Sequence, residues 1–244
     1  MNQPALERRK TVLEALSAPR LAPYLDQTRG HQREALWLYQ WNIRASQAVY
    51  AQLIVLEVVL RNALDRELRQ WHTVESGTPA WLLATPMASP LGTLASGKAT
   101  TARKQANMAR RPDHPLHGTP PTHDDVLAQT TFGLWRNLLP NHSPNANPLS
   151  PANVGRQFLW DQALKRAFPE GPEDGGKTVY SIVTRLHELR NRVSHMEPLL
   201  RANLSQRMQD AHRLLGFIEP AVREWVSGQN SVPALMRERT ARGL

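Results

Sequence analysis

Arg190, Asn191 and His195 are the residues whose types and spacing best suit chemistry on a phosphodiester. A histidine near its ordinary titration range can give or take a proton at neutral pH, and a planar guanidinium can hold an anionic transition state. The three stand at the end of a stretch starting near Lys177 that reads as a helix. Taking Ile182 as zero and advancing about 100° per residue, Leu186, Leu189 and Val193 fall within about 40° of it and form an apolar stripe. Thr184, Asn191 and His195 fall near 200°, on the opposite side. Asn191 and His195, four apart, are neighbours on that face, with Arg190 at its edge. Pro198 stops the helix just beyond. Two readings stay open: a solvated face carrying an ordinary histidine, or a face that meets a partner. A solvated face is normally filled with Lys and Glu, and this one carries Thr184, His187, Asn191, Ser194 and His195. His195 also lies in the last turn, where the helix dipole favours positive charge.

The elements that must hold this set are helical. Residues 5–18 read as a short basic amphipathic helix closed by Pro19, followed by a turn at 23–30. Residues 31–71 contain neither Gly nor Pro; they divide into a segment ending near Asn42 and a second from about Ala45 to Trp71. In the second, Val49, Leu53, Leu56, Leu60 and Leu64 have the spacing of a buried face, and Ile54, Val55, Val58 and Val59 make it apolar on most of its girth. Glu57 sits inside that apolar run. A carboxylate there needs a partner: either Arg61 at i+4, fixing helix register, or Arg190 or Asn191 across the bundle. Further helices are expected at 126–139, capped by Asp124 or Asp125, at 157–168, and at 205–225 with a kink or break at Pro220. No strand pattern occurs. The fold class is all-α: one bundle of antiparallel helices with a Pro-rich insertion.

The domain plan is an N-terminal helix and turn (1–30), one helical domain (31–228) and a basic mobile tail (229–244). Eleven of the 19 prolines fall between Pro79 and Pro151. Residues 84–123 therefore read as a flexible insertion that offers little to the core, so that deleting 87–120 leaves folding intact. A short basic helix within it carries Arg103, Lys104, Arg110 and Arg111, either a solvated surface or, with Arg192, candidate RNA contacts. His114, His117 and His123 stand near Asp124 and Asp125, but no periodic frame holds them, and no metal site is expected.

The chain has 244 residues, a net charge of +9 and no cysteine. The charge favours a polyanionic partner, nucleic acid first. The missing cysteines exclude disulfides, thiolate nucleophiles and Cys-based zinc sites, and suit a reducing cytosol. The first residues have no apolar h-region. The longest apolar run, 53–60, is too short to span a bilayer. A cytoplasmic protein without a membrane partner is expected.

The run Leu189-Arg190-Asn191-Arg192-Val193-Ser194-His195-Met196-Glu197-Pro198 resembles the Arg-Asn-x-x-x-His signature of HEPN-domain ribonucleases, in the form found in Abi-like (abortive-infection) proteins of bacteria. Leu56-Glu57-Val58-Val59-Leu60-Arg61-Asn62-Ala63-Leu64 followed by Trp81-Leu82 is similar to the first half of that family. Thr131-Phe132-Gly133-Leu134-Trp135, Leu159-Trp160 and Phe168-Pro169 are similar to its middle. The likeness covers about residues 30–220; the Pro-rich segment and the tail fall outside it. The resemblance implies a HEPN-like bundle acting in phage defence or as a toxin, a metal-independent endoribonuclease without cofactor, and a homodimer that lines one cleft with two Arg/His sets. It leaves room for an antitoxin or regulatory partner. It makes His195 the general acid or base, Arg190 the stabiliser of the transition state and Asn191 a holder of backbone or phosphate, with Glu57, Arg61 and Glu197 in support. Inactive members exist, so a non-catalytic RNA-binding or protein-interaction module of the same fold is the alternative. Leu60-Arg61-Asn62 echoes the motif, but Arg66 stands where its His would be.

Overall fold

The structure is a computed structural model describing residues 3–244, with side chains from residue 7 onward. Among the described residues every regular element is a helix. In chain order these are α1 (Gln3–Leu16), α2 (Ala18–Gln27), α3 (Gln32–Ser76), α4 (Leu91–Ala109), α5 (His123–Ala128), α6 (Phe132–Leu138) and α7 (Pro151–Gln162). A 3-10 turn (Leu164–Ala167) follows, then α8 (Lys177–Ser194), α9 (Leu204–Ile218), α10 (Pro220–Ser227) and α11 (Val232–Ala241).

α3 is the axis. The two segments expected from the sequence are one helix of 45 residues, about 68 Å long at 1.5 Å per residue. It runs until Gly77, which takes a left-handed conformation (φ 75°) and returns its N–H to the Thr73 carbonyl. Leu38, Val49, Leu53, Leu56, Leu60, Leu64 and Leu68 are buried along one side, each leucine worth roughly 1.5–3 kcal/mol against exposure. α3 also contains an 18-residue window of mean hydropathy 1.4, so by length and composition this helix passes for a membrane span. The shorter run considered alone does not reveal that. Here its leucines fill the bundle, while Ile43, Tyr50, Ile54 and Val58 face outward.

Contacts along α3 set the direction of its neighbours. Glu57 meets Arg190, and Ser46 and Tyr50 share a hollow with Val193 and Ser194, so α8 runs antiparallel to α3. Asn42 meets Leu199 while Gln52 meets His212, so α9 runs the same way as α3. The bundle thus mixes both directions. α8 and α9 are joined by Arg185, whose Nε and Nη2 both donate to the buried Asp210 at 2.8 Å. Arg185 and Arg207 hold that carboxyl below its ordinary range, against the upward push of burial.

Several boundaries differ from expectation for local reasons. Pro19 opens α2 instead of merely closing α1, since a proline lacks only an N–H that the first turn does not use. Residues 123–138 form two short helices, and the first is capped by Thr122, not Asp124 or Asp125. Asp125 occupies the third position and bonds back to the Thr122 N–H, completing a capping box. α7 starts at Pro151, six residues early, capped by Ser150. The break expected at Pro220 does occur and separates α9 from α10.

Two larger expectations are overturned. The segment read as a flexible insertion carries α4, whose Leu91, Leu94, Ala95, Ala99, Ala102 and Ala106 are buried against α5, α6 and α7. At the α4–α7 contact a Cβ on Gly155 would lie 2.9 Å from the Pro90 side chain, so glycine permits the approach. The tail read as mobile forms α11. Trp41 donates to the Leu235 carbonyl at 2.8 Å, Arg44 forms a two-pronged pair with Glu238, and Arg239 and Arg242 lie over the Trp41 and Trp37 rings at 4.8 and 4.3 Å. Basic side chains that look solvent-bound in sequence find aromatic faces on α3. Deleting 87–120 should therefore abolish the cooperative thermal transition. A sharp transition within roughly 4 °C of the full chain would mean that α4 adds less than about 1 kcal/mol.

Candidate functional site

α8 is fixed at both ends. Gly176 precedes it with φ 85°, and a Cβ there would meet the Trp160 ring at 3.0 Å, so both backbone and packing require glycine. Asp174 accepts the Thr178 N–H at 2.9 Å. Burial pushes its carboxyl up, but the bonds from Thr178, Gly176 and Lys177 outweigh that and hold it low. At the far end His195 is the C-cap and Met196 takes the left-handed conformation (φ 56°) that usually selects glycine. Met196 N–H returns to the Val193 carbonyl at 3.0 Å and Glu197 N–H to the Arg192 carbonyl at 2.8 Å, a Schellman closure. Arg20 of α2 donates to the Met196 carbonyl. Asn42 of α3 accepts Leu199 N–H at 2.7 Å, and Arg239 of α11 donates to the Leu200 carbonyl at 2.9 Å. The turn carrying His195 is thus tied to three other helices.

Within this frame Arg190 Nε lies 3.5 Å from Glu57 Oε2. Glu57 therefore pairs across the bundle with Arg190. Arg61, the i+4 alternative, instead donates to Asn62 Oδ1 at 3.4 Å. Arg190 Nε is buried with no hydrogen bond better than this loose pair. Asn191 reaches His187 Nε2 at 3.4 Å. His195 is exposed. Arg192 and Glu197, both about half exposed, stand 4.0 Å apart and carry little weight. Because the Glu57–Arg190 pair is partly solvated, Glu57→Gln should cost about 0.5–1.5 kcal/mol in urea unfolding. An unchanged midpoint would show that water replaces the pair without loss.

The face of α8 that carries Asn191 is only partly open. Tyr180, Thr184, His187 and Asn191 follow one another at helical spacing, and α4, α6 and α7 turn cations toward this row. Arg136 Nε donates to Thr184 Oγ1 at 3.2 Å and its Nη2 approaches Tyr180 OH at 3.4 Å. Lys98 Nζ donates to the Gly133 carbonyl at 2.6 Å. Arg156 is held by Asn137 through its carbonyl (2.7 Å) and Oδ1 (3.0 Å). His187 stacks on Phe132 with ring centroids 5.6 Å apart. Burial, then Arg136, Arg190 and Lys98, hold its imidazole below the ordinary range. Sequence reasoning missed Lys98, Arg136 and Arg156 because they come from three helices with no shared motif. The polar row on α8 was the available signal.

Some expected RNA contacts are engaged elsewhere. Arg103 clamps the turn before α4, donating to the carbonyls of Leu82 (2.6 Å) and Ala84 (3.1 Å) and to Thr85 Oγ1 (3.2 Å). Arg110 is buried, donating to Thr119 and Pro120 carbonyls and pairing with Asp125 at 2.6 Å. Both are spent on backbone acceptors that the Pro-rich chain leaves without helical partners. Lys104 and Arg111 are exposed. His117 Nδ1 donates to the Arg110 carbonyl at 2.8 Å, and His123 Nε2 lies 2.9 Å from Asp65 Oδ1. Among the described residues no three His, Asp or Glu side chains converge as a metal site would require. Compared with protein-family models, with curated proteins and with solved structures, the chain finds no match in any of the three.

Proposed function

We propose that the chain is an endoribonuclease of HEPN type that cuts RNA by transesterification. The observation that carries this reading is the end of α8, where Glu57 holds Arg190 at 3.5 Å beside a braced turn that leaves His195 exposed. In the reaction the ribose 2′-oxygen bonds to the adjacent phosphorus and the phosphorus–O5′ bond breaks. One proton leaves the 2′-hydroxyl and one arrives on the 5′-oxygen. His195 carries one of these, and Arg190 neutralises the charge that builds on the phosphoryl oxygens. Asn191 steadies backbone or phosphate beside them. The products are a 2′,3′-cyclic phosphate and a 5′-hydroxyl.

A homodimer supports this chemistry, since one chain supplies one Arg/His set. Ile43, Tyr50, Ile54 and Val58 make an exposed apolar strip on α3, and Tyr50 borders a hollow with Val193 and Ser194 beside the motif. A second copy covering that strip would bring two sets together. The resemblance to Abi-like proteins supports a role in phage defence or toxicity in the bacterial cytoplasm, under the control of an antitoxin or regulatory partner. The test is cleavage of single-stranded RNA by the purified chain in EDTA, with product ends identified by mass. Cyclic phosphates with DNA uncut support the reading. RNA bound but never cut would leave a non-catalytic binding module of the same fold.

A further inference from the structure

Met196, directly after His195, holds φ at 56°, a left-handed value that residues other than glycine rarely adopt. Its own side chain is 70% exposed, so packing of that side chain does not impose the conformation. Such strain persists only where the surrounding structure enforces it, and it collects at functional sites. Residues 195–203 lie between α8 and α9 without a helix of their own. Apart from the bonds that close α8, the enforcing contacts therefore come from other elements.

Three side chains supply them. Arg20 donates to the Met196 carbonyl, the buried Asn42 accepts the Leu199 N–H at 2.7 Å, and Arg239 donates to the Leu200 carbonyl at 2.9 Å. All three lead back to one short stretch of α3. Arg20 lies over the Tyr39 ring at 5.9 Å, Arg239 lies over the Trp41 ring at 4.8 Å, and Asn42 follows Trp41. Arg239 is the anchor that belongs to α11. Its bond to Leu200 is the one hydrogen bond its side chain makes among the described residues, and its Nε is buried without a partner. Val232 is the one fully buried side chain of α11. The helix is otherwise held by the Trp41 bond to the Leu235 carbonyl, the Arg44–Glu238 pair and the arginine–tryptophan contacts.

We propose that Arg239 is a positioning residue for His195. By tying the Leu200 carbonyl to α11 it keeps Met196 left-handed, and so fixes the direction in which the chain carrying His195 leaves the end of α8. It touches neither substrate nor reacting atoms in this role. The effect on catalysis rests on the endoribonuclease reading; the hold on the turn does not.

The test is a double-mutant cycle between Met196 and Arg239. Glycine takes the left-handed conformation without strain, so Met196→Gly removes the need for the anchor. Arg239→Met keeps an apolar stem and a sulfur against the Trp41 ring but has no donor for Leu200. In the parent background Arg239→Met should lower kcat on single-stranded RNA by about 10–100-fold with KM within about twofold, the scale of a small misplacement of a reacting group. In the Met196→Gly background the same change should cost less than about threefold, and Arg239→Lys, which keeps a donor, should stay within about threefold of the parent. Thermal transitions within about 4 °C of the parent establish that each variant is folded. Amide exchange gives a readout without cleavage. In Arg239→Met the amides of Met196, Glu197 and Leu199 should exchange about tenfold faster, and Met196→Gly should restore the protection. Equal cost of Arg239→Met in both backgrounds, or unchanged exchange, would overturn the proposal, while a parent that cuts keeps the nuclease reading. Equal losses in Arg239→Lys and Arg239→Met would do the same, since contact with Trp41 and not the Leu200 bond would then decide. A variant that fails to fold would show that Arg239 serves the whole bundle, against a local role. A parent that never cuts, with exchange responding as expected, sinks the nuclease reading and leaves Arg239 as the brace of the turn.

Discussion

Replacing His195 by alanine should lower RNA cleavage by about 10²–10⁴-fold, the usual worth of a positioned general acid or base, without moving the unfolding transition. The imidazole is exposed and makes no side-chain hydrogen bond among the described residues. The helix end depends on backbone bonds instead: His195 N–H to Asn191, Met196 N–H to Val193 and Glu197 N–H to Arg192. Alanine keeps all three. Arg190→Lys should lose about 10²–10³-fold, since a point charge on a flexible stem replaces a planar donor whose Nε faces Glu57 at 3.5 Å. The assay is a time course on single-stranded RNA with EDTA present and a DNA control. If two chains share one cleft, adding His195→Ala chains to the parent should cut activity by more than dilution. Full activity in folded His195→Ala, or activity lost in EDTA and restored by a divalent ion, would overturn the mechanism.

The largest effect on stability is expected at Asp65, which has no place in the proposed chemistry. Its side chain is 6% exposed and accepts three hydrogen bonds: Trp81 Nε1 at 2.8 Å, His123 Nε2 at 2.9 Å and Arg69 Nε at 2.8 Å. Trp81 is fully buried and stands edge-on to His123 and Trp135, with ring centroids about 6 Å away in each case. The bond to Asp65 places the His123 proton on Nε2, because its Nδ1 is buried without a partner. One carboxylate therefore joins α3, α5 and the turn at Trp81. Asp65→Ala would strand two buried ring N–H donors and uncouple Arg69, which also pairs with Asp124. We expect about 3–5 kcal/mol of lost stability in urea unfolding. A loss under about 1 kcal/mol would show that water enters and satisfies Trp81 and His123.

The contrast between Asp65 and Glu57 shows how far a sequence can carry a polar residue. Glu57 stands out because the residues around it are apolar, and its need for a partner is plain; which arginine answers depends on the antiparallel packing of α8 on α3. Asp65 lies beside Arg66 and four residues before Arg69, so it looks like a member of an ordinary surface pair. The i+4 pair with Arg69 does form, but its two buried partners, Trp81 and His123, lie 16 and 58 residues away.

What the sequence by itself determined is the helical class, the buried face of α3 from Val49 to Leu64, the apolar stripe of α8 and the polar set at its end; that the two segments of 31–71 join into one helix was not legible. These rest on spacing within one element, where 3.6 residues per turn decides which side chains share a face. Tertiary structure alone decided that α4 is core and that α11 docks. Alanines at 95, 99, 102 and 106 are too small to mark a face in sequence, yet they allow close approach to α5, α6 and α7. The arginines of α11 read as solvated charge until Trp37 and Trp41 lie beneath them.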